Sequence, residues 1–190
     1  MQIILQPVLF EPDKDILPLL EKALLKEFNV SFSSSIVTAP AIKQIPEQQL
    51  LLLFDKQRNQ WKSTDILEWL SDKYKKLYYS KEKRTTTKIL AICNFDAYSD
   101  KLNFVFGEAY LDGSICAIYL PRLRQEFYGL KPDESVFYQR LVKEAVHELG
   151  HAFGLSHCEN IKCVMHFSNS LSDTDIKTSH LCNVCRGHLV

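Results

Sequence analysis

His147-Glu148-Leu149-Gly150-His151-Ala152-Phe153-Gly154-Leu155-Ser156-His157 is the stretch on which the reading of this chain turns. On an α-helix, residues i and i+4 share a face, so His147 and His151 can each turn one imidazole nitrogen toward a single metal ion. Glu148 projects from the adjoining face, near that ion without binding it. A base must sit there to take a proton from a metal-held water. A continuing helix would carry His157 too far along the axis, at about 1.5 Å per residue. The chain must turn back, and Gly154 can adopt positive φ at no steric cost. Three neutral histidines leave a fourth position for water, as catalytic zinc requires. A bare His-Glu-x-x-His arises by chance in roughly one chain in a hundred of this length. The glycine and third histidine at fixed offsets lower that by a further factor on the order of several hundred. A purely structural site would have no use for Glu148.

A second constellation begins at the next residue. Cys158, Cys163, Cys182 and Cys185 form two short-spaced pairs within the last part of the chain. In a reducing compartment this reads as an all-thiolate tetrahedral zinc site, closed and therefore structural. Such sites contribute ~10 kcal/mol or more to folding. Two zinc ions per chain are expected, one catalytic and one structural. Two disulfides in an oxidising compartment, or a redox pair at Cys182-x-x-Cys185, remain alternatives. Cys93 and Cys116 lie in apolar runs and read as small buried thiols. His166, His180 and His188 read as surface or capping residues.

Upstream of the motif, Asp133 or Ser135 can cap a helix that turns Val136, Phe137, Leu141, Val142, Ala145, Val146 and Leu149 to the core. Residues 2–10 read as a strand. A helix opens near Pro12 with Ile16, Leu19, Leu20, Ala23, Leu24 and Phe28 at helical spacing. Val30 to Val37 alternates as a half-buried strand does, and Ser63 caps a helix carrying Ile66, Leu67, Leu70 and Tyr74. The run Leu50 to Phe54 fits either a strand or a helical turn, and Asp55 to Trp61 reads as loop. Strands are expected at Lys88–Asn94, Leu102–Phe106 and Ser114–Leu120, the last two joined by Gly107 to Gly113. The basic stretch from Lys73 to Lys88 reads as a solvated helix end and loop. This order gives an α+β (α/β-like) fold, with helices packed on a twisted mixed sheet.

Composition bounds the function classes. With 190 residues the chain fits one domain: 1–154 as an N-terminal subdomain ending at the active-site helix, 155–190 as a small C-terminal subdomain. Lys plus Arg equals Asp plus Glu at 23 each, so nothing in the charge points to nucleic acid or an anionic membrane. No apolar run is long enough to span a bilayer. Met1 to Phe10 lacks the basic flank of a signal peptide. A cytoplasmic, monomeric protein acting on a peptide substrate, without nucleic acid or membrane partners, is expected.

From His147 to Cys185 the sequence resembles the metzincin clan, and within it the archaemetzincins (archaelysins). The resemblance rests on His147-Glu148-x-x-His151-x-x-Gly154-x-x-His157-Cys158, on Cys163-Val164-Met165 and on Cys182-x-x-Cys185. It extends to Asn103-Phe104-Val105-Phe106-Gly107-Glu108-Ala109 and to Lys143-Glu144-Ala145-Val146. The gap from Met165 to Cys182 is one residue shorter than the family's. The resemblance implies a zinc metallopeptidase. Met165 would be the Met-turn, an apolar floor under the histidines, and Asn103–Ala109 the edge strand of the cleft. It also implies helices above the cleft and a zinc-stapled C-terminal part below. Some metzincins place a tyrosine two residues after that methionine; here Phe167 stands there, with no hydroxyl. No upstream cysteine-switch segment is visible, and a narrow substrate range is expected. Two other functions stay open: a hydrolase of a non-peptide amide, and a zinc-stabilised peptide-binding module without activity.

Overall fold

The computed structural model describes residues 1–28, 35–75 and 87–189. In chain order the elements are β1 (Gln2–Val8), α1 (Ile16–Phe28), β2 (Ser35–Thr38), α2 (Glu47–Leu53), β3 (Phe54–Asp55) and β4 (Gln60–Lys62). There follow α3 (Ser63–Tyr74), β5 (Thr87–Cys93), β6 (Ala97–Tyr98), β7 (Gly107–Ala109) and β8 (Ile115–Tyr119). The long helix α4 (Glu134–Ala152) and two short ones, α5 (Leu171–Ile176) and α6 (Asn183–Gly187), complete the chain.

The main sheet has the order β2-β1-β5-β8-β7. Its pairings are parallel except the last, where β7 runs antiparallel to β8. A smaller sheet, β3-β4-β6, lies beside it. The apolar run of β5 explains why the sheet is covered on both faces, because successive side chains of a strand point to opposite sides. Leu90 and Ile92 face one core with Ile3, Leu5, Cys116 and Ile118, closed over by α1 and α4. Ile89, Ala91 and Cys93 face the other, with Ile66, Leu67 and Leu70 of α3. Both Cys93 and Cys116 are fully buried, as their apolar surroundings led us to expect.

Three local readings change. Ser63 does not cap α3: Lys62 holds that position without a capping bond, and Ser63 Oγ lies 2.7 Å from the buried Tyr119 hydroxyl. A buried phenol needs a partner, and that need prevails over the cap. Leu102–Phe106 is not a ladder strand. Apart from the Phe106 carbonyl, which accepts from Tyr119 N–H at 2.8 Å where the ladder with β8 begins, its backbone contacts are isolated, Leu102 with Ser99 and Val105 N–H with the Ala97 carbonyl, and the apolar pattern serves burial of Val105 and Phe106. The strand pairing with β8 starts at Gly107, inside the segment read as the connection, and the turn falls at 110–114. Asp55 to Trp61 is not merely a loop but a short hairpin, with Phe54 opposite Trp61. Leu50 to Phe54 resolves as the end of α2 followed by β3. Val30–Ser34 and most of the basic stretch, 76–86, lie outside the described residues; Ser35–Thr38 forms the parallel edge strand on β1. No helix among the described residues is long and apolar enough to cross a membrane.

Candidate active site

Helix α4 starts where the sequence says it should: the Asp133 side chain accepts from Val136 N–H at 3.0 Å. It buries Phe137, Leu141, Ala145, Val146, Leu149 and Ala152 against the sheet. Its other end is a Schellman motif. Gly154 has φ +88°, its N–H donates to the His151 carbonyl at 2.8 Å, and Leu155 N–H donates to the Gly150 carbonyl at 2.9 Å. This turn returns His157 to His147 and His151, and the distances follow. His151 Nε2 lies 3.1 Å from His147 Nε2 and 3.2 Å from His157 Nε2.

The outer nitrogens are tied down. His147 Nδ1 donates to the Val164 carbonyl and His151 Nδ1 to the Leu155 carbonyl, both at 2.7 Å. A carbonyl only accepts, so each Nδ1 carries the proton and each Nε2 keeps its lone pair for a metal. Burial holds His147 well below the usual histidine range, and His151 and His157 below it as well. The donor set fits zinc. Tetrahedral ligands at about 2.0–2.1 Å stand about 3.3–3.4 Å apart, close to the spacing found. The Phe167 ring packs on His157 at 4.9 Å between centroids, so the residue that lacks a hydroxyl still steadies that imidazole.

Glu148 is buried beside this cluster, and burial, helped by Glu144, raises its carboxyl well above the usual range. It is enclosed by the edge strand. A Cβ on Gly107 would lie 2.5 Å from both Glu148 Cγ and Oε1. Likewise a Cβ on Gly150 would lie 2.4 Å from Met165 Sδ, so the methionine packs directly beneath the helix turn that bears His147 and His151.

The four C-terminal thiols also converge. Cys158 Sγ lies 3.9 Å from Cys182 Sγ, and Cys163 Sγ 3.7 Å from Cys185 Sγ. Tetrahedral thiolates at about 2.3 Å from zinc stand about 3.8 Å apart. A disulfide needs about 2.05 Å, so the pairs are not bridged. The shorter gap before Cys182 has not prevented assembly. Cys182 N–H donates to Cys163 Sγ at 3.3 Å, and Cys158 N–H to the Met165 carbonyl at 2.9 Å. Among the described residues these two clusters are the groups of donors able to hold a metal, each with its ligand atoms within 4.8 Å of one another.

Two of the remaining histidines brace this region. His166 Nδ1 donates to the Cys158 carbonyl at 2.8 Å, and His180 Nδ1 lies 2.9 Å from Glu27 Oε2. Glu27 was missed in the sequence. It is 3% exposed on α1, takes Leu181 N–H at 2.8 Å and pairs with Arg186. The signal was there: a lone charge on the face that carries Leu20, Leu24 and Phe28.

A family model described as peptidase family M54 matches residues 29–190. The chain belongs to peptidase family M54. The archaemetzincin of Methanocaldococcus jannaschii is 54% identical over 97 residues, which cover 51% of this chain and 54% of that protein. The archaemetzincin of Saccharolobus islandicus is 36% identical over 166 residues, covering 87% and 85%. The chain spans 54% of the M. jannaschii relative and 66% of the Pyrococcus horikoshii one. Among solved structures, the Archaeoglobus fulgidus archaemetzincin complexed with malonate superposes with a TM-score of 0.75 at 32% identity, over 99% of both chains. A zinc-dependent peptidase from Methanocorpusculum labreanum gives a TM-score of 0.82 at 27% identity, over 99% and 100%. The α+β architecture of this chain is thus that of the M54 peptidases.

Proposed function

We propose that this M54 chain is a zinc metallopeptidase that hydrolyses peptide bonds with Glu148 as general base and acid. The observation that carries the reading is the meeting of three Nε2 atoms, two of them on rings whose Nδ1 partners leave the Nε2 lone pair free, with a buried carboxyl group alongside. His147, His151 and His157 would hold one zinc ion, and Cys158, Cys163, Cys182 and Cys185 a second. Zinc at the histidines, when bound, supplies Lewis-acid polarisation of the scissile carbonyl and lowers the pKa of water toward about 7. Glu148 takes a proton from the attacking water and returns it to the leaving amine. Burial that raises its affinity for a proton suits both halves of that task. Strand β7 ends the sheet, and among the described residues no strand pairs with its outer edge, so an extended peptide can add to it as a further strand. That edge favours a peptide over a small non-peptide amide. Gly154 turns the chain and Met165 supplies the apolar floor. Residues 1–154 then form the upper part of one domain and 155–190 the lower. The free thiols fit a reducing, cytoplasmic setting.

The test pairs metal content with turnover. Glu148→Gln is expected to keep two zinc ions per chain and lose peptide hydrolysis by at least about a thousandfold. Hydrolysis at the wild-type rate by this variant would refute the assigned base. A wild type that binds both metals and cleaves no peptide would favour the binding-module reading.

A further inference from the structure

A cleft of about 220 Å³ opens beside His147 and Glu148, and part of its lining takes no part in hydrolysis as proposed. That part is Glu144, one helical turn before Glu148 on α4, with Lys177 next to it. The two form an ion pair at 3.1 Å, with side chains 4% and 0% exposed. A buried pair of this kind is a poor device for stability, because desolvation offsets the attraction. Its hydrogen bonding is also lopsided. Lys177 Nζ and, at 3.3 Å, Thr174 Oγ1 both reach Glu144 Oε1. Among the described residues no hydrogen bond reaches Oε2. Ser168 lines the same cleft, and its Oγ is shut off from water with no hydrogen-bond partner. Leaving Ser168 Oγ unpaired out of reach of water is costly, and Glu144 Oε2 belongs to the wall of the same cleft, so a ligand group that serves both atoms gains from each.

The chemistry of the occupant follows by matching. The rest of the wall includes Phe104, Phe106 and Phe167, which suit the stem of a side chain. An aliphatic tip would leave both Glu144 Oε2 and Ser168 Oγ unmade. A lysine or arginine would meet a carboxylate whose charge Lys177 already cancels. An acidic tip would face Glu144 and Glu148. A carboxamide has an NH₂ for Glu144 Oε2, a carbonyl for the Ser168 hydroxyl, and no net charge to desolvate. We propose that this cleft receives a glutamine or asparagine side chain next to the scissile bond of a peptide substrate, with Glu144 and Ser168 reading its amide. The inference rests on the peptidase reading above. A pocket that hydrogen-bonds its substrate discriminates strongly against analogues lacking the group.

The experiment uses the zinc-loaded full chain and matched peptides that differ only at the residues flanking the scissile bond: Gln, Asn, Leu, Lys or Glu. Cleavage is followed by mass spectrometry, and binding of the same peptides to Glu148→Gln protein by calorimetry. Glutamine or asparagine peptides are expected to be preferred over leucine, lysine and glutamate peptides by about tenfold or more in both readouts. Ser168→Ala, a mild change, should reduce the glutamine-to-leucine ratio about fivefold, and Glu144→Gln should reduce it as well. Equal treatment of glutamine and leucine, or a preference for leucine, lysine or glutamate, overturns the amide-reading cleft and leaves the peptidase reading standing. A protein with both zinc ions that neither cleaves nor binds any peptide of the set removes the peptidase reading, and this inference with it.

Discussion

Gly107 on the edge strand and Glu148 on α4 are packed so tightly that the glycine has no room for even a methyl group, which would fall 2.5 Å from Glu148 Cγ and Oε1. The strand that is to carry substrate thus also fixes the carboxylate that is to act on it. Gly107→Ala is expected to push Glu148 aside and lower kcat/KM about a hundredfold, since displacements near 1 Å carry that cost. Zinc content should stay at two per chain. Peptide assays beside metal analysis check this; full activity in the variant would show that the contact positions nothing.

Gly150 and Met165 make the corresponding contact on the other side of the helix, with 2.4 Å between a built Cβ and Sδ. The thioether is flexible, so part of the strain can relax. Gly150→Ala should lower stability by about 1–3 kcal/mol as overpacking does, while Met165→Leu, which conserves volume, should cost less than about 1.5 kcal/mol. Chemical denaturation of the two variants measures both. A larger loss for Met165→Leu than for Gly150→Ala would contradict the packing argument.

The metals are expected to part company under mutation. His151→Ala should release one zinc ion and leave a folded chain. Cys182→Ser should release the other and lower Tm by at least about 10 °C, because binding at such a cluster is folding free energy. Metal analysis and thermal melts decide it. Cys182→Ser protein that melts like wild type with both metals bound would remove Cys182 from the cluster.

Glu27 joins α1 to the C-terminal segment by three separate partners: Leu181 N–H, His180 and Arg186. Glu27→Ala leaves Leu181 N–H unpaired in a buried place, while the more exposed His180 and Arg186 can turn to water, and a loss of about 2–3 kcal/mol is expected. Denaturant titration reads the loss directly. A variant within about 1 kcal/mol of wild type would mean that the pairing is dispensable.

Helices α1, α3 and α4 and the meeting of the three histidines were legible because their signals are local. The spacing from His147 to His157, the cap at Asp133 and the turn at Gly154 are all set within a few residues. The main strands were legible from apolar runs. What escaped depended on distant partners. Ser63 reads as a cap until Tyr119 arrives to claim it. Leu102–Phe106 reads as a strand because a short apolar run looks the same whether it pairs or only packs. Gly107, Glu144 and Lys177 meet only in the folded chain, so no window of sequence could have joined them.

His157 and Cys158 send their donors to different clusters with a single peptide unit between them. There is no slack there: one inserted residue would turn one donor away from its site. Between Met165 and Cys182, by contrast, lie α5 and its flanking turns, which can absorb a change of length without parting the four thiols. Length variation among M54 chains is therefore expected after the methionine and never between the histidine and the cysteine. Over evolutionary time, the two metals should be retained together or lost together.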